Sequence, residues 1–188
     1  MYPEELNCPA DPSHSVADQL SAAFCHAARQ ELADALRMVE HCVNQLTDEQ
    51  VWSRDGSGIN PIGNLVLHLA GNLRQWVVAG LGGKPDMRQR PQEFTERGPI
   101  PRQELLAGLR TCVEEAGAVL GQLSQAELLR TRRIQGFDMT AVAALGHAVP
   151  HFRGHTQEIV RATRQHLGPA YRFAWAPQTL EQGANSAI

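Results

Sequence analysis

Asn60-Pro61-Ile62-Gly63-Asn64-Leu65-Val66-Leu67-His68-Leu69-Ala70-Gly71-Asn72-Leu73-Arg74-Gln75-Trp76 starts a helix and keeps it apolar on nearly every side. Asn is a favoured N-cap, and Pro is tolerated at the first helical position. The segment is expected to be helical from Pro61 to Leu81, where Gly82-Gly83 ends it. A helix at a protein surface carries one apolar stripe. One that is apolar around its circumference must be covered from more than one side, by other helices or in an oligomer interface.

The flanking sequence supplies those neighbours. Upstream, Cys25, Ala28, Leu32, Leu36, Val39, Val43 and Leu46 recur every three or four residues, which marks a helix from about Val16 to Leu46. Downstream, residues 82–101 form a connection with prolines at 85, 91, 99 and 101. Links of that length are uncommon, and in a bundle one of them lets two consecutive helices run parallel. Leu105, Leu109, Val113, Ala116 and Leu123 then mark a helix over 102–123. After a linker over 130–137, broken by Gly136, Asp138 or Thr140 can cap a fourth helix that Gly168-Pro169 stops. Thr47-x-x-Gln50 and Ser124-x-x-Glu127 have capping-box spacing and echo each other after the first and third helices. No run shows the period of a strand. The expected fold is all-α: a four-helix bundle over 15–169 with a long crossover between helices 2 and 3. An irregular arm, 1–14, precedes it. An irregular tail, 170–188, follows, with Phe173 and Trp175 available to pack onto the body.

Composition narrows the function. Among 188 residues, 17 basic and 20 acidic side chains give a net charge of −3. Nucleic-acid-binding surfaces are normally basic, and no apolar run approaches the length of a membrane span. The first residues, Met1-Tyr2-Pro3-Glu4-Glu5, lack the basic-then-apolar order of a signal peptide. A cytoplasmic protein is expected, with no nucleic-acid or membrane partner. Cys8, Cys25, Cys42 and Cys112 form no C-x-x-C pair, and the last three read as small buried hydrophobes.

The chemistry is concentrated in histidine. Three of the eight, His147, His151 and His155, are spaced by four. Each step of four rotates about 400°, so the side chains share one helix face. Two imidazoles at i and i+4 can reach one metal ion. A third ligand should come from a facing helix, and His68, in the most apolar stretch of the chain, is the candidate. Asn64 and Asn72 lie one turn to either side of it, and Glu158 follows His155 on its own face. Pro150, immediately before His151, interrupts the helix's hydrogen-bond ladder. A zincin needs Glu directly after the first histidine; Phe152 and Ala148 stand there instead. Di-iron bundles need carboxylates that helix 2 lacks.

The segment 60–76, together with Gly82-Gly83-Lys84-Pro85-Asp86-x-Arg88-x-Arg90, Glu93-Phe94 and His151-Phe152-x-x-His155-Thr156, resembles the DinB/YfiT-like metalloenzymes, in a branch of uncharacterised members. The resemblance spans about residues 40–168. It implies an up-down-down-up bundle, often a homodimer, and a metal held by His68, His151 and His155. His147 matches no ligand position and is assigned to a supporting role. Gln157-Glu158 departs from the Gly-Gln usual in the family after His155-Thr156, and Pro150 from a position that is commonly acidic.

Three neutral imidazoles leave a divalent transition metal its full charge and an open position; zinc and nickel are the first choices. The resemblance implies thiol-dependent transfer chemistry, hence a thiol S-transferase acting on an electrophilic small molecule with a low-molecular-weight thiol. A metal-dependent hydrolase and a non-catalytic metal-binding bundle, in stress response for example, are the alternatives. Arg88, Arg90 and Arg97 are candidates to bind an anionic thiol or substrate. No catalytic base is assigned.

Overall fold

Four long helices carry the core. Ser15 accepts a hydrogen bond from the Asp18 amide and starts α1 (Val16–Val43). α3 (Ile62–Leu73) is followed without a break by a π-helical stretch, Arg74–Ala79. α5 is Arg102–Leu120. Thr140, one of the two caps expected, accepts from the Ala143 amide and starts α7 (Ala141–Leu167). The computed structural model describes residues 15–175 except Asp55, Ser57 and Pro99. The expected arm over 1–14 with Cys8, and the tail beyond 175, lie outside the described residues.

Short elements join these helices. α2 (Asp48–Trp52) and α6 (Gln125–Leu129) occupy the two echoed turns. Thr47 and Gln50 form a complete capping box, and Ser124 caps α6 through the Glu127 amide. Two elements correct the sequence reading. The connection over 82–101 contains a helix, α4 (Arg90–Thr95), with Pro in its first turn. The linker over 130–137 is part of an antiparallel hairpin, β1 (Thr131–Ile134) with β2 (Phe137–Thr140). The hairpin turns through Gln135 and Gly136, both at positive φ (51° and 86°). Asn60 is not the cap of α3: Pro61 occupies that position and no side chain caps the helix. α1 and α5 end at Val43 and Leu120, short of the expected 46 and 123.

Packing follows the apolar pattern. Leu32, Leu65, Leu69, Leu109, Leu145, Phe152 and Ile159 are fully buried, each contributing roughly 1.5–3 kcal/mol of burial. α3 is covered on several sides, as its composition requires: Ile62, Leu65, Val66, Leu69 and Leu73 all have exposures of 2% or less. Polar groups inside the core are paired locally. Thr156 and Thr163 donate to the carbonyls of Phe152 and Ile159, one turn back along α7. Cys25, Cys42 and Cys112 are buried, and burial pushes the Cys112 thiol up to about 12. Phe173 and Trp175 stay largely exposed; of the two rings expected to pack onto the body, Phe173 does so at its edge, beneath the Arg164 guanidinium of α7 and against Tyr171. Among the described residues no helix is long and apolar enough to cross a membrane.

Residue pairs fix how the helices lie. Arg110 meets Glu40 and Gln103 meets Asn44, across α5 and α1. The Cys112 thiol donates to the Ala70 carbonyl across α5 and α3, and Arg74, at the start of the π-helical stretch, reaches Glu115 on α5. Arg153 pairs with Glu31 across α7 and α1. The segment over 84–97 lies as a strap against α3.

Candidate metal centre

The core packing of α7 sets the centre. Ala148, Phe152, Thr156 and Ile159 face inward. His151 and His155 lie beside that buried row, half-buried, on the side of α7 that meets α3. His68 comes from the middle of α3 and is buried, with 5% of its surface exposed. One ring nitrogen from each of His68, His151 and His155 lies within 4.8 Å of the others. The His68 and His151 Nε2 atoms are 3.2 Å apart. The His155 ring centroid is 5.0 Å from that of His68 and 4.7 Å from that of His151.

Hydrogen bonds assign the tautomers of two rings. His68 Nδ1 is 2.8 Å from Glu93 Oε2, and His155 Nδ1 is 2.9 Å from Glu158 Oε2. A carboxylate only accepts, so Nδ1 is the proton-bearing nitrogen of each ring, and in the neutral ring Nε2 presents a lone pair; Arg88 Nη2 also lies 3.1 Å from His68 Nδ1, beside its shorter bond to Glu93 Oε2. Such a carboxylate–histidine pair orients and strengthens a metal-binding imidazole. His151 Nδ1 is buried and has no hydrogen-bond partner among the described residues. Burial, then the charges of His155, His68, His147 and Arg88, lower the His151 pKa to about 4. The ring is therefore neutral at neutral pH, the form that a metal requires. Three imidazoles converging on one point, two of them with their far nitrogens already engaged, form a donor set that fits one divalent transition metal.

The strap supplies what spacing alone did not reveal. Glu93, buried on α4, receives two hydrogen bonds from Arg88, Nε to Oε1 at 2.7 Å and Nη2 to Oε2 at 2.9 Å. Burial alone would raise the Glu93 pKa, but the hydrogen bonds from Arg88 and His68, aided by their charges, outweigh it and hold the carboxyl below its ordinary value. Arg88 Nη1 also donates to Gln75 on the π-helical stretch. Its side chain is only 3% exposed. Arg88 therefore corrects its reading as an anion-binding loop charge: its guanidinium is already neutralised by Glu93. Arg90 is exposed and lies over the Phe94 ring. Arg97 is exposed and donates to the Phe94 carbonyl. Glu93 had appeared in the sequence only beside Phe94 in a motif; a carboxylate 25 residues from its histidine gives no spacing signal.

The remaining candidates fall into separate places. Asn64 is fully buried and donates to the carbonyls of Glu93 and Glu96 while accepting from Arg54, so it anchors the strap rather than facing the imidazoles. Asn72 is buried one turn beyond His68. His147 is exposed, its ring stacked on Trp76 at 4.1 Å, and it contributes no atom to the three-histidine cluster. Pro150 lies on the exposed side of α7, which remains helical through it. A cavity of about 720 Å³ lies behind the strap, between α3, the π-helical stretch and α5. Arg88 and Glu93 line it, and none of the three histidines does.

A family model described as a protein of unknown function, DUF1572, matches residues 19–178. The crystal structure of a DinB-like protein from Bacillus cereus ATCC 10987 has the same fold, with a TM-score of 0.61. That match covers 77% of this chain and 91% of the other at 17% identity. No curated protein matches the sequence.

Proposed function

The chain belongs to the DUF1572 family, and we propose that it is a metal-dependent enzyme, a thiol S-transferase acting on an electrophilic small molecule. The carrying observation is the convergence of the three imidazole nitrogens, with His68 and His155 held by carboxylates at their opposite nitrogens. His68, His151 and His155 would hold the ion. When bound, such an ion acts as a Lewis acid that keeps a coordinated thiol deprotonated near neutral pH, or acidifies water. Glu158 is engaged at His155 Nδ1 and His147 is stacked on Trp76. Neither is free to close the coordination sphere, which favours an exchangeable position over a saturated structural site. His151 and His155 are half-buried, so that position is reachable from solvent. The up-down-down-up order is part of the same reading; the Arg153–Glu31, Arg110–Glu40 and Cys112–Ala70 pairs support it.

Elemental analysis after purification without chelators tests the premise. A stoichiometric divalent metal is expected in the wild type and its loss in His68→Ala. A metal-free wild type overturns the reading. Conjugation of an electrophile to a low-molecular-weight thiol should then disappear in His155→Ala while the circular dichroism of the bundle is retained. Retained conjugation would remove the transferase. Turnover of esters or amides without any thiol would replace it with a hydrolase.

A further inference from the structure

The three histidines do not explain why a buried ion pair from a connecting segment is held against one of them. Glu93 sits 8% exposed between Arg88 and the Nδ1 of His68. Burying two charges is costly unless their hydrogen bonds are complete, and here the count is nearly full: the carboxylate accepts from Arg88 Nε, Arg88 Nη2 and His68 Nδ1. α3 makes room for it. Gly71, one turn past His68, has no Cβ. One placed there would overlap Glu93 Oε1 and stand 2.8 Å from its carboxyl carbon. A helix interior disfavours Gly by roughly 1 kcal/mol relative to Ala, so the vacancy at 71 has a cost that seating the carboxylate explains. The strap is fixed around this point by Asn64, by the Gln75–Asp86 hydrogen bond, and by Phe94, whose ring lies 5.0 Å from that of His68.

We propose that Glu93, seated in the gap at Gly71 and clamped by Arg88, is a positioning residue that fixes the His68 tautomer and links closure of the 84–97 strap to metal occupancy. The carboxylate holds the proton on Nδ1 and so turns the Nε2 lone pair toward His151 and His155. When the strap lifts, His68 loses its orienter and the site loses affinity. By linkage, a metal that binds the oriented ring favours the closed strap to the same extent. The inference rests on the metal reading for its affinity arm and not for its tautomer arm.

The experiment uses the full chain with zinc as the probe, comparing wild type, Glu93→Gln and Gly71→Ala. Glutamine places an NH2 where one of two oxygens accepts, facing donors; alanine at 71 displaces the carboxylate while leaving every charge in the chain. Zinc affinity, measured by chelator competition, should fall about 10–100-fold in both variants. In the metal-free proteins, nitrogen-15 spectra of the side chains should show His68 protonated at Nδ1 in the wild type and shifted toward the Nε2-protonated form in both variants. Zinc should slow amide exchange over 90–97 in the wild type and do so less in the variants. Affinity within about twofold of wild type together with an unchanged His68 tautomer would overturn the proposal. If Glu93→Gln does not fold, Gly71→Ala decides alone. If the wild type takes up no zinc, the proposed function fails, and the tautomer of His68 still decides this inference.

Discussion

The centre has two histidine–carboxylate pairs of nearly equal length, one at His68 and one at His155. His68–Glu93 spans 2.8 Å and His155–Glu158 spans 2.9 Å. Distance is where the likeness ends. The first joins α3 to the strap across 25 residues, with side chains 6% and 9% exposed. The second joins neighbours on one helix, with side chains 28% and 39% exposed. A buried pair has large opposing terms: desolvation is severe, attraction is strong, and the balance depends on the third partner, Arg88. An exposed pair one turn apart is screened by solvent and forms in any state in which the helix forms. Equal geometry therefore does not mean equal consequence.

The sharpest way to break the symmetry is Arg88→Met. It leaves Glu93 buried without its cation and should cost about 3–5 kcal/mol, read from urea denaturation at neutral pH. A loss below about 1 kcal/mol would mean that the strap opens and rehydrates Glu93, which would make the two pairs alike. Acid separates the two sides more gently. Because the folded state holds His151 near 4 against an ordinary 6.5, the unfolded chain binds more protons between those values. The metal-free protein should lose stability as pH falls through that window. The lowered Glu93 pKa adds a further loss below 4.5. Urea midpoints from pH 7 to 4.5 should decline in the wild type and flatten in His151→Gln; an equal slope in both would remove His151 as the cause. Glu158→Gln is the smallest perturbation. It should change stability by less than about 1 kcal/mol, and raising salt should shrink even that difference.

How far these regions could be read from the sequence follows the same division. His151 and His155 were legible because a helix converts a spacing of four into a shared face, and His68 because a polar ring in an apolar helix needs a partner. Glu93 lies in a connection with no period, and only closure of the strap brings it to His68. The hairpin escaped for a different reason. Thr131–Ile134 and Phe137–Thr140 are short, and their burial shows little inward-outward alternation. The turn uses Gln135-Gly136, with a glutamine at positive φ where Asn or Asp is the usual signal. The π-helical stretch over 74–79 keeps Trp76, Val77 and Val78 buried, and a helix already apolar all round offers no pattern in which an extra residue per turn would show.

The gap at Gly71 has a consequence for how such a chain can change over generations. Alanine at 71 is, on helix propensity alone, an improvement, and a single base change in a glycine codon reaches it. Yet it cannot coexist with the carboxylate of Glu93 in its present seat. The two positions, 22 residues apart, are sterically coupled: filling 71 requires the acid at 93 to be replaced or moved, and with it the charge that Arg88 meets.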